Sequence, residues 1–286
     1  MSIWRYGGHL LICACALGIS TSVSAQVASP DAATNLPSTT GGTAPTADWR
    51  YSVGLGIGIV PDYEGSDSYK GVPIPYGEIQ YNYQFVRLAG LKITSNLIND
   101  ENWRLGPVLN RRQGYHDVHS DRVDDLTNRG PSTEVGVVGG YALPLATGGD
   151  RTAILEVGSE FLADVSSGHD GYLITPFVRY EQPMSKQWQL IGDARFSYAS
   201  GDYMSHYFSV DRRDSQRSNL SQYNADADIK DVAFSVSSPY AFTQNWSVVP
   251  VLMYKRMTGD AKDSPVVDEA GNANQFIAAV VGVYSW

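Results

Sequence analysis

Thiols are nearly missing. The 286 residues hold two cysteines, Cys13 and Cys15, both within the first 25. Removal of that segment leaves a chain with no thiol nucleophile, no cysteine-ligated metal and no disulfide. Charge is also sparse: Asp, Glu, Lys and Arg make up 18%, against about a quarter of an ordinary soluble domain. The balance is acidic, with a formal net charge of −9, which excludes the basic stripe of a nucleic-acid binder. No run of 18 apolar residues follows residue 30, so a bundle of membrane-crossing helices is excluded. HExxH zinc motifs, GxSxG elbows and glycine loops that open a helix over a phosphate are likewise missing. Gly (28), Tyr (18) and Trp (6) are plentiful, and aromatic and β-branched residues run through the whole chain, unlike a disordered one.

The first 25 residues read as a secretory signal peptide. Arg5 gives a positive start, Leu10 to Ile19 a short apolar core, and Ser22-Val23-Ser24-Ala25 small residues before a cut. The apolar core is too short to span a bilayer, and Cys13 and Cys15 sit too early for a lipoprotein signal. Residues 26–48 are rich in Ala, Thr, Pro, Ser and Gly. They have little to bury and are expected to form a flexible periplasmic tail. Order is expected from Trp49.

From there the dominant period is two. Trp188, Leu190, Gly192, Ala194, Phe196 and Tyr198 alternate with Gln187, Gln189, Asp193, Arg195 and Ser197, as on a strand with one apolar and one polar face. The same alternation marks 50–60, 102–112, 151–163 and 171–182, with further candidates at 71–82, 85–94, 132–143, 229–242, 245–257 and 274–286. These segments have about 10–14 residues, where globular strands have a mode of roughly 5–6 and a tilted membrane strand needs about 9–11. Aromatics stand near their ends (Tyr51, Trp103, Tyr141, Tyr180, Trp188, Tyr198, Trp246, Tyr254, Trp286), as in the girdles of an outer-membrane barrel. Pro107, Pro176 and Pro250 are awkward inside paired strands and predict bulges.

Short connections (183–186, 242–245) contrast with long polar ones (61–71, 114–132, 201–228, 258–274). Short periplasmic turns opposite long outer loops are the asymmetry of a transmembrane antiparallel β-barrel. The segments number eleven, but single-chain bacterial barrels are usually even. One element between Trp49 and Asn102 is therefore miscounted, and twelve strands are expected, with ten as the alternative. The last residues, FIAAVVGVYSW, end on Trp286 and resemble the C-terminal signal that such barrels present to the barrel assembly machinery. The fold expected is all-β, in the outer membrane of a Gram-negative bacterium, among its lipid and lipopolysaccharide.

Several segments resemble the MipA/OmpV family of outer-membrane proteins: Gly54–Asp67 (GLGIGIVPDYEGSD), Asn102–Arg111 (NWRLGPVLNR), Ser167–Gly171 (SGHDG), Asp202–Val210 (DYMSHYFSV), Ile229–Phe234 (IKDVAF), Asn245–Val248 (NWSV), Gly259–Val266 (GDAKDSPV) and Ala273–Phe276 (ANQF). They span nearly the whole chain after residue 48, in order. The resemblance implies a single barrel without enzymatic activity. It also implies a scaffold role between a lytic transglycosylase and a bifunctional penicillin-binding protein; other members are described as porin-like or adhesive.

Candidate chemistry is thin, and no cofactor is expected. His116, Asp117, His119 and Asp121 share one loop, which reads more simply as solvated acidic surface than as a zinc site. His169 and Asp170, with Asp202 and His206, are the one set to weigh as acid–base groups. The simpler reading is a tight turn between Gly168 and Gly171, capped by Asp170. The acidic loop residues Asp62, Glu64, Asp67, Asp117, Asp121, Asp124, Asp125, Asp260, Asp263, Asp268 and Glu269 would hold a divalent cation only if clustered in space. The polar phase of the strands is more informative. Arg104, Arg112, Glu134, Glu156, Glu160, Arg179, Glu181, Asp193 and Arg195 are expected to point into the lumen. Charges of both signs there suit a lumen closed by salt bridges, while a water-filled path for small solutes with an electrostatic constriction is the alternative.

Overall fold

The structure, a computed structural model, describes residues 48–115, 118–127, 129–146 and 151–286. The expected signal peptide, and the tail apart from Asp48, lie outside the described residues, as do His116 and Asp117. Twelve strands close into one antiparallel barrel. β1 (Trp49–Pro61) and β2 (Tyr69–Tyr81) lead to the short β3 (Gln84–Ala89) and β4 (Lys92–Asn96). There follow β5 (Trp103–Arg112), β6 (Ser132–Ala146), β7 (Thr152–Asp164), β8 (Tyr172–Pro183) and β9 (Gln189–Ala199). β10 (Asp228–Ser237), β11 (Trp246–Met257) and β12 (Asn274–Ser285) complete the set. Each strand pairs with the next, β12 returns to β1, and β10 pairs with β11 from Asp231↔Met257 to Ser237↔Val251. A two-residue ladder at Tyr240–Ala241 lies beside the start of β11. Among the described residues no helix is long and apolar enough to cross a membrane.

Alternation sorts the two faces. Val53, Leu55, Ile57 and Ile59 on β1 are 53–70% exposed on the outer wall, while Val281 and Val283 of β12 point inward and are fully buried. Gly54, Gly56 and Gly58 take the inward phase of β1. A Cβ on Gly56 would lie 2.5 Å from the Val280 carbonyl and 2.6 Å from Val281 Cγ2, so only glycine fits against that ladder. At the short-turn end a chain of ring contacts runs Tyr81–Trp49–Tyr51–Trp286–Tyr284–Trp246, with centroids 5.0–6.4 Å apart. Trp103 and Tyr141 continue it at 4.9 Å. An apolar outer belt edged by aromatics is the surface that a bilayer requires of a barrel.

The miscounted element is now plain. Residues 85–94 are not one strand. Gly90, at φ +60, turns the chain so that β3 and β4 form a hairpin of six and five residues. The expected prolines fall where ladders are interrupted. Pro107 lies just below the last β4–β5 pair, Thr94↔Val108. Pro176 lies in a gap of the β8–β9 register between Ile174↔Tyr198 and Phe177↔Arg195. Pro250 lies just past Ser237↔Val251. A residue without an N–H can sit in a strand only where no partner needs that donor.

The long loops are not loose. They carry α1 (Asp121–Asp124), α2 (Gly201–Phe208), α3 (Arg212–Ser218), α4 (Gly259–Asp263) and α5 (Pro265–Asp268). Ser200 caps α2 by accepting from Tyr203 N, and Asp211 caps α3 by accepting from Asp214 N. Tyr203, Met204, Tyr207 and Phe208 of α2 are 0–1% exposed. They pack with Tyr63, Tyr115, Val123, Leu220 and Val266. The result is a lid with its own hydrophobic core across the long-loop end.

Candidate functional site

Under the lid lies a buried ionic cluster. Glu64, from the β1–β2 loop, points inward. Its Oε1 accepts from Lys230 Nζ at 2.5 Å and from Lys255 Nζ at 2.9 Å, and its Oε2 accepts from Tyr203 OH at 2.8 Å. Burial opposes this charge, but the ammonium groups of Lys230 and Lys255, with the Arg112 guanidinium behind them, hold its carboxyl well below the usual range. Lys230 also pairs with Asp231, its neighbour in sequence. Both face inward because the β9–β10 register slips between Ile229 and Asp231; such a bulge re-aims a side chain. Strict alternation therefore misses this pair.

A second knot adjoins the first. Glu134 accepts from Arg112 Nε at 2.7 Å and Asn110 Nδ2 at 2.6 Å, and lies 3.0 Å from His169 Nε2. Since His169 Nδ1 accepts from Gly171 N, Nε2 carries the proton and donates to Glu134. Both ring nitrogens of His169 are thus in use. Asp170 and Asp202 are exposed. Burial, with Arg129 and His169 adding to it, pushes His206 down to about 4, so it is neutral at pH 7. Of the four residues weighed as a catalytic set, the rings of His169 and His206 lie 6.4 Å apart, while both carboxylates are exposed. The turn is held by Asp164, which accepts from the backbone N–H of Ser166, Gly168, His169 and Asp170. Asp170, expected as the cap, instead takes φ +53.

The remaining inward charges form a ladder down one side. Lys92 meets Glu160 at 2.6 Å, and Arg87 meets Glu78. Arg179 lies 3.9 Å from Glu156 and 3.3 Å from Asp193, and Arg195 lies 2.7 Å from Asp193. Glu181 accepts from Gln189 Nε2 at 3.2 Å. Arg104 stands apart at the short-turn end and donates to the Asp100 carbonyl at 2.9 Å. The structure thus joins Arg112 to Glu134, and Glu156 to Arg179, Asp193 and Arg195. Arg87 and Lys92 are missed from sequence because residues 85–94 read as one strand, and Glu78 because it shares its face of β2 with Val72, Ile74 and Tyr76. The opposite inner wall is apolar, with Val60, Ile74, Val249, Val251 and Val281 at 0–1% exposure.

The acidic loops are spent differently from a cation site. Asp62 pairs with Lys70 at 3.1 Å and accepts from His119 N at 2.7 Å, and Glu269 pairs with Arg122 at 2.8 Å. Among the described residues no three His, Cys, Asp or Glu side chains gather as a metal site.

Residues 53–286 match the family described as MltA-interacting protein MipA. The chain belongs to this family. MltA-interacting proteins of Escherichia coli (strain K12) and Shigella flexneri are each 35% identical to it over 65 residues, 23% of this chain and 26% of theirs. The chain thus spans about a quarter of the length of the curated relatives it matches. Among solved structures, the COG4313 outer membrane channel from Pseudomonas putida F1 is similar at a TM-score of 0.45 and 10% identity, over 87% of this chain and 99% of that one. OmpT of Vibrio cholerae is similar at a TM-score of 0.36 and 9% identity, over 85% and 98%. This MipA-family chain is an outer-membrane β-barrel. Its short turns, with Trp49 and Trp286, face the periplasm and its lid faces outward.

Proposed function

We propose that this MipA-family barrel is a non-enzymatic platform that holds a lytic transglycosylase, and with it a penicillin-binding protein, at the periplasmic face of the outer membrane. The observation that carries this reading is the closed outer end. A lid with a hydrophobic core and two buried ionic knots under it oppose free passage of solute. The family name and the name of the curated relatives supply the class of partner. Docking then falls to the periplasmic turns or to residues 26–48. A second reading, a small-solute channel of the porin kind, rests on the charged inner face of the strands, if the pairs of the ladder leave a water-filled path between them.

Crosslinked capture from cell envelopes with tagged barrel separates the two. A lytic transglycosylase or penicillin-binding protein enriched above the level on an unrelated barrel is the expected result. Capture of assembly factors alone contradicts the platform. Capture that survives deletion of 26–48 assigns docking to the turns.

A further inference from the structure

The lid holds a buried cation that no carboxylate meets. Lys92, Arg112, Lys230 and Lys255, the other buried cations among the described residues, are each ion-paired. Arg129 is 5% exposed and has no carboxylate partner among the described residues. It serves as a clamp instead. Its backbone pairs with Tyr115 inside the β5–β6 loop. Its Nε donates to the His206 carbonyl at 2.6 Å, and its Nη2 to the Ser209 carbonyl at 2.6 Å. Carbonyls at the C-terminal end of a helix have no helical N–H to accept from. One guanidinium thus holds the β5–β6 loop to α2, the helix that fills the lid core. Its Nη1 has no hydrogen-bond partner among the described residues.

The residue whose carbonyl is held has a second open position. His206 is half-buried and its ring stands edge-on to Tyr207, with centroids 4.7 Å apart. Its Nε2 is buried and has no partner among the described residues. Unprotonated, this nitrogen lacks one hydrogen bond; protonated, it is a charge without a counter-charge.

The groups around His206 oppose that charge. Arg129 faces it from the β5–β6 loop, and the His169 ring, 6.4 Å away, from the β7–β8 turn. Asp164 and Asp170 of the same turn favour a cation, but Asp164 is spent on four backbone N–H groups and Asp170 is exposed. Glu134 is taken by Arg112 and His169. Asp202, one turn earlier on α2, is exposed. The carbonyl end of a helix also favours a cation, but Arg129 already fills that place. Burial, Arg129 and His169 prevail and push the ring down to about 4.

We propose that His206 is an acid-operated latch of the lid. A proton on its Nε2 adds a second cation beside Arg129, and the guanidinium cannot shed its own charge. The pair is relieved when α2 leaves the Arg129 clamp and both groups reach water. Acidification of the outer medium therefore loosens the long-loop end. The latch is independent of the platform.

The sign with pH follows. His206 takes its proton at about 4 in the closed lid, and at an ordinary value near 6.5 once α2 is free. The open-to-closed ratio therefore rises as pH falls, by about twentyfold between pH 7 and 5. Glu64, held well below the usual carboxylate range, stays charged over this interval.

The test is hydrogen–deuterium exchange of the mature full-length barrel in detergent micelles between pH 7 and 5. Mass spectrometry reads peptides across α2, with the intrinsic pH dependence of exchange removed. Protection of the Met204 and Ser209 amides, which bond to the Ser200 and Ser205 carbonyls, is expected to fall about twentyfold from pH 7 to 5. It should recover on return to pH 7, while amides of β8 and β9 keep theirs. His206→Phe keeps a ring that takes no proton, and His206→Gln keeps a neutral polar group. Both are expected to hold α2 protection level across the range. Arg129→Gln, which removes the opposing cation, is expected to lower protection at pH 7 and flatten the pH dependence. Wild-type protection that stays level from pH 7 to 5 overturns the proposal. So does an equal fall in both His206 variants, which would move the trigger to His169 or another group.

Discussion

Replacing Glu64 with leucine is expected to cost the barrel about 3–5 kcal/mol, the penalty for removing one partner of a buried ion pair. Lys230 and Lys255 converge on this carboxylate from β10 and β11, and Tyr203 donates to it from the lid. One side chain thus ties the β1–β2 loop to the far wall and to α2. Urea unfolding of the barrel in detergent micelles, followed by tryptophan fluorescence, reads the change. The sign with pH follows from the depressed carboxyl of Glu64. Its stabilisation is complete above the ordinary glutamate range and is lost as pH falls through the lower folded value. The wild type should therefore lose stability on strong acidification. The leucine variant should lack this component. A wild-type-like midpoint for Glu64→Leu at pH 7 would show that the cluster does not brace the lid.

The second large effect concerns the lid itself. Tyr203 and Phe208 are both fully buried in its core, and truncating a buried aromatic to alanine costs about 3–5 kcal/mol. The double variant Tyr203→Ala/Phe208→Ala should fold as a barrel, because the strands and their ladders are untouched, but its lid should open. In planar bilayers the wild type is expected to give no stable conductance, and the double variant discrete conductance steps. Steps of equal size from the wild type would assign solute passage to the native barrel and favour the channel reading. Silence from both would mean that the ion-paired lumen alone suffices to close the path.

Much of this fold is legible in sequence, because a lipid-facing strand has no freedom in its alternation. Leu190 and Phe196 outward against Gln189, Asp193 and Ser197 inward can be read directly, and so can the terminal Trp286 girdle. Three things are not legible, for three physical reasons. The β3–β4 hairpin hides because its two short strands together have the length of one, although the apolar phase flips at Gly90, from Val86 and Leu88 to Leu91 and Ile93, where φ is positive. Lys230 and Asp231 hide because a bulge breaks the alternation that predicts them. Glu64 and Asp62 read as solvated loop acids because their partners, Lys230, Lys255 and Lys70, come from elsewhere in the chain. Arg112 and Glu134 were visible as inward charges. Their convergence with His169 needed the β5–β6 register and the Asp164-capped turn together.

The platform reading rests on a partner meeting the periplasmic face. The most direct test titrates purified soluble lytic transglycosylase into the mature barrel held in lipid nanodiscs and follows binding by light interferometry. Saturable binding, lost when an unrelated twelve-stranded barrel takes its place and retained by the Tyr203→Ala/Phe208→Ala variant, is the result predicted. Binding no stronger than to the unrelated barrel would contradict it.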